Sequence, residues 1–161
     1  MIRLIKAALA AFASLFCLFY ALQNIANLQA AFGFVAYVGS MADHLAYPNA
    51  FGPAVTNPTL TWILLWIIIC LEVLAGLLAG KGAIDMLLAR NASAADFHAA
   101  KKWAVVGCGV GVLVWFGIFG AFAGAYFQMW QNEAGTNALQ GSFTYSLQMG
   151  LVWLLIAATD D

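Results

Sequence analysis

Four apolar segments, near residues 4–24, 60–80, 103–124 and 141–158, are each long enough to cross a bilayer, and they dominate a chain of 161 residues. At ~1.5 Å per residue, about twenty helical residues cover the roughly 30 Å hydrocarbon core. In lipid the backbone must satisfy its own polar groups, and no ten-residue alternating pattern points to barrel strands. The fold class expected is all-α, a four-helix transmembrane bundle in a single integral domain, residues 1–161. With 65% hydrophobic and 8% charged residues, a soluble domain is excluded.

The charges then orient the bundle. Arg3 and Lys6 precede the first segment, and Lys81, Arg90, Lys101 and Lys102 lie between the second and third. The other two connections, 25–59 and 125–140, hold no Lys or Arg. Basic residues of short loops are retained in the cytoplasm, so both termini are expected there, in a bacterial inner membrane. Asp160 and Asp161 do not oppose this, because acids weigh little in that rule. A net charge of -1 gives no surface for nucleic acid. Residues 1–24 resemble a secretory signal, but no small-x-small site follows and the segment reads as an uncleaved helix.

The connections have their own character. Phe32, Phe34, Val35, Tyr37 and Val38 predict a short helix or loop on the outer interface, too short and too interrupted by Gly33 and Gly39 to span. Pro48, Pro53 and Pro58 mark an irregular stretch beyond it. Trp62, Trp66, Trp103 and Trp130 fall at segment ends, as an aromatic belt requires. Ser93 followed by Asp96 predicts a capped helix start at Ala94 and a tight turn over residues 90–93, with the second helix running on to about Arg90.

Few residues carry chemistry. Glu72 is the one ionisable group deep inside a span, by helical rise ~18 Å from the outer end and ~12 Å from the inner. A charge there is costly, so it should face the bundle, a cavity or a partner. It reads either as a proton or cation stop or as a structural acid, donating to Ser14 or accepting from Trp153. Gly107, Gly109, Gly111, Gly117, Gly120 and Gly124 repeat along the third helix. Gly76 and Gly80 sit on the second, and spacings of this kind let backbones pack closely. At 100° per residue Gly109, Gly117, Gly120 and Gly124 share one face, with Gly107 and Gly111 roughly opposite. Gln23, Asn24, Asn27 and Gln29 are expected to meet Gln128, Trp130, Gln131, Asn132 and Glu133 in a polar outer cap. That cap either satisfies helix ends or takes a lipid or quinone headgroup.

Other chemistries find no residues. His44 and His98 lie in connections on opposite sides, so no histidine pair can hold a haem. No cluster has metal-ligand spacing, and no P-loop, GxSxG or dinucleotide fingerprint occurs. Cys17, Cys70 and Cys108 stand alone inside apolar runs as small fillers. No cofactor is expected, and a self-contained enzyme is not.

Residues 115–119 (WFGIF) and 124–131 (GAYFQMWQ), the F-x-x-A-K pattern ending at Lys101, Phe34 to Met41, and Leu71-Glu72 together resemble a bacterial family of predicted small integral membrane proteins, a domain of unknown function. Ala125 stands where that family's stretch has an acid, and Tyr37 where its outer segment has a histidine. The resemblance implies a four-helix inner-membrane protein and no particular activity. The expected role is non-catalytic, an accessory subunit packing against other integral membrane subunits and lipids, with a Glu72-dependent transporter as the competing reading.

Overall fold

A computed structural model describes residues 1–160, and among them every regular element is helical. Helix α1 is Ile2–Ala26, α2 Leu28–Ser40, α3 Pro58–Leu88, α4 Ala94–Ala100, α5 Lys102–Val112 and α6 Glu133–Ala157. Between α5 and α6, α5 continues without a break as a π-helical stretch, Leu113–Tyr126, followed by the 3₁₀ turn Met129–Gln131.

Local chemistry sets the boundaries. Asn57 accepts from the Thr59 and Leu60 amides and Pro58 opens α3, a side-chain cap followed by a residue that needs no amide partner. Ser93 accepts from the Asp96 amide and starts α4 at Ala94, the turn expected from sequence. Asn27 breaks the chain between α1 and α2, and Met41, left-handed at φ 53°, ends α2. α3 runs past its apolar segment to Leu88, close to the expected end near Arg90, and α6 starts at Glu133, eight residues before its apolar segment.

Three helical runs, Ile2–Ala26, Pro58–Leu88 and Ala94–Tyr126, are long and apolar enough to cross a membrane. Helix α6 has the length but carries Glu133, Asn137, Gln140 and Gln148. Successive long helices are antiparallel. Asn24, Ser14 and Arg3 of α1 meet Glu72, Gly76 and Arg90 in that order, and Gly82 and Gly107 bring α5 back along α3.

Side chains are sorted by size rather than polarity. Apart from Lys6 near its start, the buried positions of α1 are small, Ala7, Ala10, Ala13, Ser14, Cys17 and Ala21, whereas Ile5, Phe12, Leu15, Phe19 and Leu22 are exposed. Without a hydrophobic drive between helices in lipid, close backbone approach and dispersion hold the pair, and small residues permit both. α3 answers with buried Ala75, Gly76, Ala79 and Ala83.

Candidate functional site

The polar groups of the bundle gather at three levels. In the seam between α1 and α3, Ser14 Oγ donates to the Gly76 carbonyl at 2.7 Å and Asn24 Nδ2 donates to Glu72 Oε2 at 3.0 Å. Glu72 is only 2% exposed. Gly76 and Gly80 make the seam possible. A Cβ on Gly76 would stand 2.6 Å from Leu18 Cγ, and one on Gly80 would stand 2.7 Å from Ser14 Oγ. Beside this seam Phe16, Tyr20, Trp115 and Tyr145 pack ring against ring, with centroids 4.9–6.0 Å apart, and tie α1 to the π stretch and α6.

At the end where the termini lie, Asp160 sits between two ammonium groups. Lys6 Nζ is 2.9 Å from its Oδ1, and Lys101 Nζ pairs with Oδ2. Both lysines also donate to the Ala158 carbonyl, at 2.7 and 2.6 Å. Lys6 is 5% and Lys101 1% exposed. Burial alone would raise the Asp160 carboxyl, but Lys101 and Lys6 outweigh it and hold it below the ordinary carboxylate range. Next to this triad the ring of Phe97, fully buried, lies under Arg3 at 4.9 Å and Lys101 at 5.4 Å. Arg3 then donates to the Arg90 and Ala92 carbonyls, closing the α3–α4 turn onto the start of α1.

At the opposite end the polar side chains bond within their own neighbourhoods. Gln131 accepts from the Ala46 and Tyr47 amides and donates to Gln128 and the Tyr47 carbonyl. Asn132 caps α6 through the Gly135 amide, and Asn27 donates back to the Gln23 carbonyl. Trp130 meets Tyr47 edge to face.

Among the described residues no group of three His, Cys, Asp or Glu could hold a metal ion. Over residues 2–159 the chain matches the model of a family described as predicted small integral membrane protein (DUF2165). The chain belongs to this family. No curated protein and no solved structure matches it. Segments singled out in this small integral membrane protein now acquire structural roles. Trp115 is the buried hub of the aromatic core, Phe97 and Lys101 belong to the ionic lock, and Tyr37 donates to Asp43 at 2.7 Å.

Three sequence expectations need correcting. Neither Ser14 nor Trp153 partners Glu72. Ser14 turns to a backbone carbonyl, Trp153 is 38% exposed on α6, and Asn24 leaves the expected cap to supply the bond. The outer cap is therefore divided: Gln131 takes the Ala46 and Tyr47 amides, Asn27 bonds back to Gln23, and among the described residues no side-chain hydrogen bond joins the two halves. The glycine stripe also fails as one packing face. A Cβ on Gly109 or Gly117 would meet nothing within 4 Å and one on Gly120 only ordinary contacts, whereas one on Gly124 would lie 3.0 Å from Leu139 Cδ1 of α6, so of that face Gly124 alone packs closely. The π stretch, with its i→i+5 bonding, changes the angular spacing that the expectation assumed. Gly107 and Gly111 do pack, against α3 and Met149 of α6 respectively.

Asn24 was legible only as one amide among several; nothing in its sequence neighbourhood pairs it with an acid 48 positions away. Its removal should be felt. Asn24→Leu is expected to destabilise the protein by about 1–3 kcal/mol by leaving the buried acid without its donor. Adding Glu72→Gln should recover part of the loss, measured by thermal unfolding in detergent.

Proposed function

We propose that this protein is a non-catalytic membrane subunit that crosses the bacterial inner membrane four times, with both termini cytoplasmic, and packs against a larger integral membrane assembly such as a respiratory complex. The observation carrying this reading is that the polar side chains buried between α1 and α3 are engaged by the facing helix. Glu72 is engaged by Asn24, in a seam closed tightly by Gly76 and Gly80, and Ser14 holds a backbone carbonyl. Such bonds fix helices and leave no chain of titratable stops along which a proton could move. The large apolar side chains meanwhile point outward, among them Ile5, Phe12 and Phe19 at seven-residue intervals on α1, a seam another helix can fill. The four-span placement with cytoplasmic termini rests on the Lys and Arg asymmetry, on the Asp160 pairs with Lys6 and Lys101, and on the Arg3 bond to the Arg90 carbonyl, which lie at one end.

Purification of the tagged protein from its host in mild detergent, followed by native mass analysis, tests this. A stoichiometric set of larger subunits is expected, with Glu72→Gln weakening their recovery. A homo-oligomer that conducts ions in liposomes, and stops doing so in Glu72→Gln, would replace this reading with the transporter.

A further inference from the structure

We infer that the half of the bundle distal to the termini holds the acyl chain of a bilayer phospholipid in a cleft between α3 and the π-helical stretch. The cleft follows from how the two helices meet. Near the termini they touch backbone to backbone. A Cβ on Gly82 would strike the Ala104 backbone, and one on Gly107 would lie 2.7 Å from the Ala75 carbonyl oxygen. Beyond Gly111 the third run leans on α6 instead, through Met149 and then Leu139, while Trp115 is drawn into the aromatic core with Phe16 and Tyr145. The two helices splay, and a wedge of about 440 Å³ opens between them. That volume falls within the usual range of ligand sites, about 300–1,000 Å³.

Its walls are hydrocarbon and aromatic: Leu64 and Ile67 on α3, Phe119 and Phe122 on the π stretch, Phe34 and Val38 on α2. Towards the chain segment between α2 and α3 the cleft is roofed. The Val55 amide donates to the Gly39 carbonyl at 2.8 Å, Tyr126 OH donates to the Pro53 carbonyl at 3.2 Å, and Phe51 packs edge-on against Tyr126. These bonds use the polar atoms at that end on each other. On its flank, by contrast, Ile67 and Phe122 are 45% and 62% exposed, on the side a bilayer covers. The opening thus faces lipid, not water. A water-borne solute finds neither entry nor a free donor. A methylene chain finds both access and matching walls, and apolar cavities of this kind stay dry and take up hydrocarbon. The phospholipid headgroup would stay level with the roof. The site stands whether or not a partner subunit is found.

The test is photolabelling of the full chain in phosphatidylethanolamine–phosphatidylglycerol vesicles that contain a phospholipid with a diazirine at mid-chain, with adducts mapped by peptide mass spectrometry. Ile67, Phe119, Phe122 and Val38 should be labelled severalfold more than Phe12 and Leu77, which are exposed on helix faces outside the cleft. Ala123→Trp, filling the cleft from the π stretch, should remove most of that excess and leave Phe12 and Leu77 unchanged; Val38→Trp, filling it from α2, should do the same. Uniform labelling of all exposed faces, or an excess that neither variant reduces, would overturn the assignment. So would cleft labelling by a free fatty-acid probe with none by the phospholipid.

Discussion

Asp160→Asn is expected to cost about 1–3 kcal/mol of stability, because it takes the carboxylate from between two ammonium groups and leaves them the Ala158 carbonyl and each other's charge. The loss should appear as a lower unfolding temperature in detergent. Its pH dependence follows from the direction in which the carboxyl is held. The folded group lies below the ordinary range, so the stabilisation is full above the unfolded value of about 3.9 and fades as pH falls through the lower folded value. The wild-type advantage over Asp160→Asn should be full near pH 6 and shrink below about pH 4; burial holds the Lys101 ammonium below its ordinary value, so the advantage also fades on the alkaline side as Lys101 loses its proton. Replacing all three members, as Lys6→Met, Lys101→Met and Asp160→Leu together, should recover most of the loss, since an apolar cluster of similar volume can substitute for a buried ion group. If the triple variant is less stable than Asp160→Asn, the lock does more than neutralise itself.

The second large effect is steric. Gly107→Ala places a methyl against the Ala79 amide and 2.7 Å from the Ala75 carbonyl oxygen, and Gly82→Ala places one against the Ala104 backbone. Both obstacles are main chain, so no rotamer change relieves them and the helices must part. A cost of about 1–3 kcal/mol each is expected, with the upper end for Gly82. Gly109→Ala is the control, because its Cβ would meet nothing within 4 Å. There the better helix propensity of Ala should leave stability unchanged or raised by up to about 1 kcal/mol. Thermal unfolding of the three variants side by side decides it; equal losses at Gly109 and Gly107 would mean that the α3–α5 contact does not set the cost at Gly107.

The glycines show where sequence reading stopped. Gly76, Gly80, Gly107 and Gly111 were identifiable as packing residues by spacing alone, since a regular α-helix keeps its angles. Gly117 was not, because the helix it sits on changes to π geometry at Leu113 and no residue there announces the change. The Ser93 cap was legible in its own four residues. Asn24 and Glu72 were visible as an amide and an acid, but their hydrogen bond depends on the register of two helices that a few shared residues near the termini and a glycine seam set together.

From sequence alone came the membrane, the helical class, the length of the apolar segments and the expected orientation, because hydrocarbon thickness and charge retention act on composition and spacing. The tertiary structure decided which polar groups meet. It drew Asp160 between Lys6 and Lys101, turned Asn24 inward to Glu72, split the outer cap and opened the cleft beyond Gly111. The physical reason is common to all four. In an apolar medium a polar group must find a partner wherever the packing brings one, and packing is a property of helix pairs, not of any one stretch of chain.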